Sequence, residues 1–209
     1  MVQQPWIAVV LYKILTVVRR SDKLESAARL ACNVATRHNP AVSSTQGCVR
    51  VKSQSAQIPV RSRAVAAVIL AGRGEAARVL VLQRNKNTSR GLWSLVMGRL
   101  EKGESAAEAI RREIAEETGI AVEALYTTGC VDTYFNSGAN AIDMMPIFAA
   151  PFATAPEVTL DHEHLAYRWL SFPEAIEALA YPGQRDALPH VKRDFADREP
   201  PEFRLVRGE

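Results

Sequence analysis

Eight consecutive residues, Ala64–Ala71 (AVAAVILA), carry no polar side chain, and Gly72-Arg73-Gly74 ends the run. A short apolar stretch closed by glycines predicts a strand and a turn, with Arg78–Arg84 (RVLVLQR) as the hairpin partner. A polar loop over 85–91 leads to Leu92, Trp93, Ser94, Leu95, Val96 and Met97. The period then changes. Ala106, Ala109, Ile110 and Ile114 fall on one stripe of a helix, Ser105 and Glu108 form a capping box at its start, and Gly119 is its stop signal. Two further strands are predicted over 122–135 and Ala141–Phe152, split by the turn Asn136-Ser137-Gly138-Ala139, and Pro146 marks the second as an edge or bulged strand. A strand over 166–170 follows, then a second capping box, Ser171 with Glu174, opening a helix through Leu179. The last predicted helix covers 183–194, kinked or ended by Pro189. Strands on both sides of one loop–helix–loop predict an α/β fold, a mixed β-sheet sandwiched between α-helices, and no internal repeat is visible.

Charge divides the chain where the pattern does. Residues 1–63 hold ten Lys/Arg against two acids, Asp22 and Glu25, whereas the remainder carries more acids than bases. The net charge of +3 therefore belongs to a basic N-terminal extension over 1–60 and not to the domain expected over 61–209, so nucleic acid is not an expected partner. The extension predicts a poorly ordered tail with one helix around 23–36, and its composition loosely resembles a transit peptide. Its apolar stretch, 7–18, is interrupted by Lys13 and is shorter than the ~20 residues a spanning helix needs. No membrane association is expected, and a cytoplasmic location is. Cys32, Cys48 and Cys130 are scattered and include no C-x-x-C pair, which predicts neither a disulfide framework nor a zinc site. His38, His162, His164 and His190 show no metal-ligand spacing and are expected at the surface or at a cavity rim.

The chemistry concentrates on the first predicted helix. Glu113, Glu116 and Glu117 stand at i, i+3 and i+4, so three carboxylates share one face. Such a face is ordinarily a solvated surface, and Arg112 offsets only part of its charge while orienting a neighbouring Glu. All-oxygen donors suit a hard divalent cation, Mg²⁺ with Mn²⁺ as the alternative. A cation there would neutralise the charge that builds on phosphoryl oxygens, with one carboxylate serving as general base.

The whole stretch 98–120, GRLEKGESAAEAIRREIAEETGI, fits G-x5-E-x7-R-E-U-x-E-E-x-G-U with U aliphatic, at Gly98, Glu104, Arg112, Glu113, Ile114, Glu116, Glu117, Gly119 and Ile120. It resembles the Nudix box, the signature of hydrolases that cut a diphosphate linked to another moiety. The resemblance implies the Nudix fold with its loop–helix–loop, and it extends over about 61–195. Val96-Met97-Gly98 stands where many members have Pro-Gly-Gly. Val79 to Arg84 and Glu163 to Leu170 are similar to the branch that releases pyrophosphate from dihydroneopterin triphosphate or dATP, part of folate biosynthesis. Carried over to this chain, that likeness implies Glu113 and Glu117 as metal ligands within a Glu113–Glu116–Glu117 cluster. It implies Glu163 as a further ligand or the base, Arg84 on substrate phosphate and Gln184 on the substrate.

Other readings stay open. A non-catalytic nucleotide-sensing module would be marked by a degenerate box, and here every box carboxylate is present. An ADP-ribose or nucleotide-sugar pyrophosphatase would keep the chemistry and change the substrate. Homodimer formation is left open. Trp93 and Trp169 are expected in the core, and Tyr134 and Phe135 either pack or stack on a substrate ring.

Overall fold

The computed structural model describes residues 57–207, so the apolar stretch 7–18 and the helix expected at 23–36 lie outside the described residues. Eight strands form one mixed sheet: β1 (Val60–Arg61), β2 (Ala64–Ala71), β3 (Arg78–Arg84), β4 (Trp93–Ser94), β5 (Val96–Arg99), β6 (Tyr126–Asn136), β7 (Ala141–Phe152) and β8 (His164–Leu170). Among the described residues three α-helices accompany them, α1 (Ala106–Thr118), α2 (Phe172–Ala178) and α3 (Pro182–Val191). β2 explains the sandwich. Its Val65, Ala67 and Ile69 join the cluster beneath α1, while Ala66, Val68 and Leu70 join the one beneath α2 and α3. A strand covered on both faces reads as an unbroken apolar run, which is why Ala64–Ala71 shows no alternation.

Beside β2 the sheet splits. β2 pairs with β3 only through Leu70↔Val79 and Ala71↔Arg78, and along its other edge β3 runs antiparallel to β8 from Val79 onward. The chain over 93–99 fills the gap: Trp93 and Ser94 pair with β3, then Val96 to Arg99 pair with β2. Leu95 makes the crossing, and its N–H is taken by the Gln184 side-chain Oε1 at 2.9 Å. On its other side β2 runs parallel to β7, which in turn pairs with β6.

The N-termini of α1 and α2 carry complete capping boxes, Ser105 with Glu108 and Ser171 with Glu174, and α1 ends at Gly119 in the left-handed region at φ 70°. That φ favours glycine because a Cβ would crowd the backbone. Four boundaries differ from the pattern-based reading, each for a local reason. β6 begins at Tyr126 and not at 122, because Arg111 Nη1 donates to the Val122 carbonyl and the Val206 N–H to that of Leu125. β8 begins at His164, two residues early, through its pairing with Arg84 beyond a register shift. Pro146 lies within an inner strand: β7 has β1 and β2 on one side and β6 on the other, and the irregularity falls in β6, between Thr127 and Val131. Pro189 does not end its helix. α3 continues to Val191 and widens into a turn in which the Asp197 N–H reaches the Lys192 carbonyl.

Candidate functional site

β5 and α1 are packed so closely that one needs glycine for the other. A Cβ on Gly98 would lie 1.8 Å from Glu113 Cδ, so the absent side chain makes room for that carboxylate. From the same helix Arg112 spends all five N–H donors. Nε and Nη2 grip Glu104 at 2.9 and 3.0 Å, Nη1 reaches Glu113 at 2.9 Å and Glu116 at 3.0 Å, and Nη2 also meets the Arg99 carbonyl at 2.9 Å. Nothing is left for a substrate. Arg112, expected to offset charge and orient a neighbouring Glu, holds three carboxylates in place and does not line the cleft they face. Its hydrogen bonds hold the Glu104 carboxyl below the usual range, and the Glu104 carboxylate in turn raises the Arg112 guanidinium.

Glu117 is the buried member, 5% exposed. Burial first, then the neighbouring charge of Glu113, pushes its carboxyl up to about 9, with Arg84 acting in the opposite direction. Glu117 Oε2 has no hydrogen-bond partner. Close by is His164, expected at the surface or rim and in fact buried, its side chain 1% exposed. Its Nδ1 lies 2.9 Å from Asp161 Oδ1, and its Nε2 points towards Glu117 Oε1 at 3.9 Å without a hydrogen bond. Asp161 and His164 are the residues that motif reading passed over. The available signal was alternation along β8, which turns His164 inward between its flanking residues Glu163 and Leu165.

One cleft of about 990 Å³ is lined by Asp161 and by Arg84, Gly98, Glu113, Glu116, Glu117 and Glu163 from the anticipated set, with Gln184 in its wall and His164 behind it. Arg84 stands at the β3–β8 irregularity, its Nε 3.1 Å from Ser89 Oγ and its buried Nη1 unpartnered. Glu163 is held by Lys86 Nζ at 2.7 Å, and that ammonium lowers its carboxyl pKa. Gln184 is wholly buried and already committed, Oε1 to the Leu95 N–H and Nε2 to Met97 Sδ at 3.3 Å. Tyr134 lines the cleft, whereas Phe135, 56% exposed, does not. Trp93 packs against the core with Arg168 over its ring, and Trp169 packs against the opposite cluster. Gly119 serves as the α1 cap and takes no part in the cleft.

Among the described residues no three His, Cys, Asp or Glu side chains are drawn together tightly enough to enclose an ion. Arg112 and Lys86 occupy the carboxylates instead. The donor set nevertheless fits a hard cation: Glu113, Glu116, Glu117 and Glu163 offer only oxygens, and Glu117 Oε2 is buried without a partner.

The pattern of the NUDIX domain matches residues 60–191. The chain belongs to that family. Nudix hydrolases act on phosphoanhydride bonds and generally use divalent metal ions. An octanoyltransferase of Myxococcus xanthus is 32% identical over 148 residues, 68% of this chain and 40% of that protein. An 8-oxo-dGDP phosphatase of Homo sapiens is 38% identical over 86 residues, 39% of this chain and 26% of that one. The chain thus spans less than half the length of either relative. The dihydroneopterin triphosphate diphosphatase of Escherichia coli (strain K12) is 31% identical over 128 residues, 56% of this chain and 83% of the relative. A solved structure of the E. coli dihydroneopterin triphosphate pyrophosphohydrolase superposes with a TM-score of 0.54 at 25% identity, covering 67% of this chain and 98% of that one. A C. elegans Ap4A hydrolase, TM-score 0.54 at 24% identity and covering 62% and 94%, shares the fold. No helix among the described residues is long and apolar enough to cross a membrane.

Proposed function

We propose that this Nudix domain is a Mg²⁺-dependent pyrophosphohydrolase that converts a ring-bearing triphosphate, nucleoside or pterin, to its monophosphate and pyrophosphate. The observation that carries the reading is the single cleft in which four glutamates meet Arg84. Glu113, Glu116, Glu117 and Glu163 would hold the cation, for which Mn²⁺ is the alternative. When bound, it supplies charge neutralisation at the phosphoryl oxygens and a more acidic water. Arg84 has a buried Nη1 free to engage a phosphate oxygen. Glu163 is ionised at neutral pH because Lys86 favours its charge, so it can take the proton that the attacking water releases. Water adds to phosphorus, the bridging oxygen between the first and second phosphates departs on the pyrophosphate or monophosphate side, and the proton ends on Glu163. Arg112 keeps Glu113 and Glu116 aligned, and Gln184 keeps the β4–β5 crossing in place. The relative named a dihydroneopterin triphosphate diphosphatase supports a pterin substrate, and the relative named an 8-oxo-dGDP phosphatase supports a purine one.

The test is product analysis by ³¹P NMR in ¹⁸O-water, over nucleoside triphosphates, dihydroneopterin triphosphate and ADP-ribose. Pyrophosphate is the expected first product, with the label marking the phosphorus attacked. Orthophosphate as the initial product, or hydrolysis of ADP-ribose alone, overturns the proposal.

A further inference from the structure

One carboxyl in the cleft has no part in the chemistry above. Asp132 projects from β6, opposite Met145 of β7, and is 5% exposed, yet it lines the cleft. It sits hard against the first turn of α3: a Cβ on Gly183 would lie 2.0 Å from Asp132 Oδ1. Glu113, Glu116 and Glu117 come from α1, which packs on the opposite face of the sheet from α3. The cleft therefore has two chemically distinct walls.

Asp132 is poorly satisfied by the protein. No basic side chain contributes to its environment; burial and the charge of Asp186 both oppose its ionisation, and the Thr133 backbone N–H alone favours it. A buried carboxyl left in that state is expensive unless a partner arrives. Its neighbours on this wall are Met97, Met145 and Tyr134, whose apolar and aromatic surfaces suit a flat ring. The nearby amide of Gln184 does not compete for the ring, being tied to Leu95 and Met97.

Two carboxyl oxygens match two adjacent, coplanar N–H donors. Adenine and cytosine present one donor beside one acceptor on the corresponding edge, and uracil and thymine flank a single N–H with carbonyls. We propose that Asp132 selects the substrate by accepting hydrogen bonds from the ring N–H and the amino group of a 2-amino-4-oxopyrimidine edge. Guanine and pterins share that edge. This inference rests on the reading of the cleft as a site for a ring-bearing phosphate ester, and it adds which ring. Gly183 is the companion feature, since any side chain there would displace the carboxyl.

The full-length protein is titrated calorimetrically, without metal, with guanosine and inosine monophosphates, which differ only in the 2-amino group. Neopterin monophosphate forms a separate arm that tells a pterin source from a guanine one. Guanosine monophosphate binds about tenfold or more tighter than inosine monophosphate in the wild type, and Asp132→Asn brings that ratio close to one. Equal affinities in the wild type overturn the proposal, a comparison that needs no variant to fold. So does a ratio preserved in Asp132→Asn alongside a lowered melting temperature, the outcome if Asp132 merely caps α3. Binding of neopterin monophosphate but not guanosine monophosphate, abolished by Asp132→Asn, upholds it with a pterin as the ring. Because binding is read without hydrolysis, discrimination seen in a protein that releases no pyrophosphate sustains this inference while overturning the reaction assigned above.

Discussion

The two walls of the cleft use carboxylates in opposite ways. On the α1 wall Glu104, Glu113 and Glu116 are gathered by one guanidinium, and Glu163 by Lys86, so negative charge is concentrated and held in place. On the α3 wall a single carboxyl, Asp132, is buried among methionines and an aromatic ring with no cation to support it. A charged network suits a step in which charge builds and must be neutralised. An isolated carboxyl in a wall of methionines and a tyrosine suits recognition, where the value of a hydrogen bond lies in how much its loss is felt. Reaction and selection can thus change independently, since no side-chain hydrogen bond joins Asp132 to the glutamates.

The sharpest test of the α1 wall is Glu117→Gln, which keeps size and removes one charge from the deepest ligand position. Pyrophosphate release at saturating Mg²⁺ should fall about 10³-fold, the scale of losing one group that stabilises transition-state charge. Near wild-type turnover would remove Glu117 from the ligand set. Next in size is Gly98→Ala. Its methyl would lie 1.8 Å from Glu113 Cδ, and moving that carboxylate by an ångström should lower kcat about 10²-fold. If the melting temperature drops while kcat stays, the close approach serves packing alone. Arg112→Lys keeps the charge but not the fork that spans three carboxylates, and a loss of about tenfold in metal affinity is expected by calorimetric titration. Unchanged affinity would mean that the glutamates hold their positions without it.

The smallest effect is one of stability with pH. The folded Glu117 carboxyl keeps its proton up to about 9, against 4.5 for the unperturbed group. Protonation therefore favours the folded state fully below 4.5, and that contribution is lost as pH rises towards 9. In chelator, the melting temperature of the wild type should decline across this window relative to Glu117→Gln, which cannot ionise. Parallel curves for the two proteins would argue that water or a neighbour already satisfies Glu117.

Much of the α1 wall was legible because its residues lie within one helix and its loop. The capping box at Ser105, the stripe through Ile110 and Ile114, and the Gly119 stop are local rules, and the structure follows each. β2, β3 and β7 were equally readable, since an apolar run between turn residues has few other uses. The α3 wall was not legible. Asp132 is buried by Gly183, fifty-one positions away, and nothing in the local pattern of either residue reports the other. His164 looked like a rim residue because its inward turn depends on pairing with Arg84 across a register shift. Gln184 invited a substrate contact, but the need it meets is that of a backbone N–H orphaned where the chain crosses from one strand to the next.

That crossing also makes the segment 93–99 a ruler. With Leu95 alone between the β3-paired and β2-paired stretches, the count of residues decides which side of the chain faces which wall. Adding or removing one residue would exchange Met97 and Gly98, setting a thioether against Glu113 and a bare backbone beside Gln184. Drift in length is thus barred here, while the exposed tip at 137–140, which closes β6 onto β7, has no such duty. Lineages of this domain should vary in length at that tip and keep an unvarying count between Trp93 and Gly98.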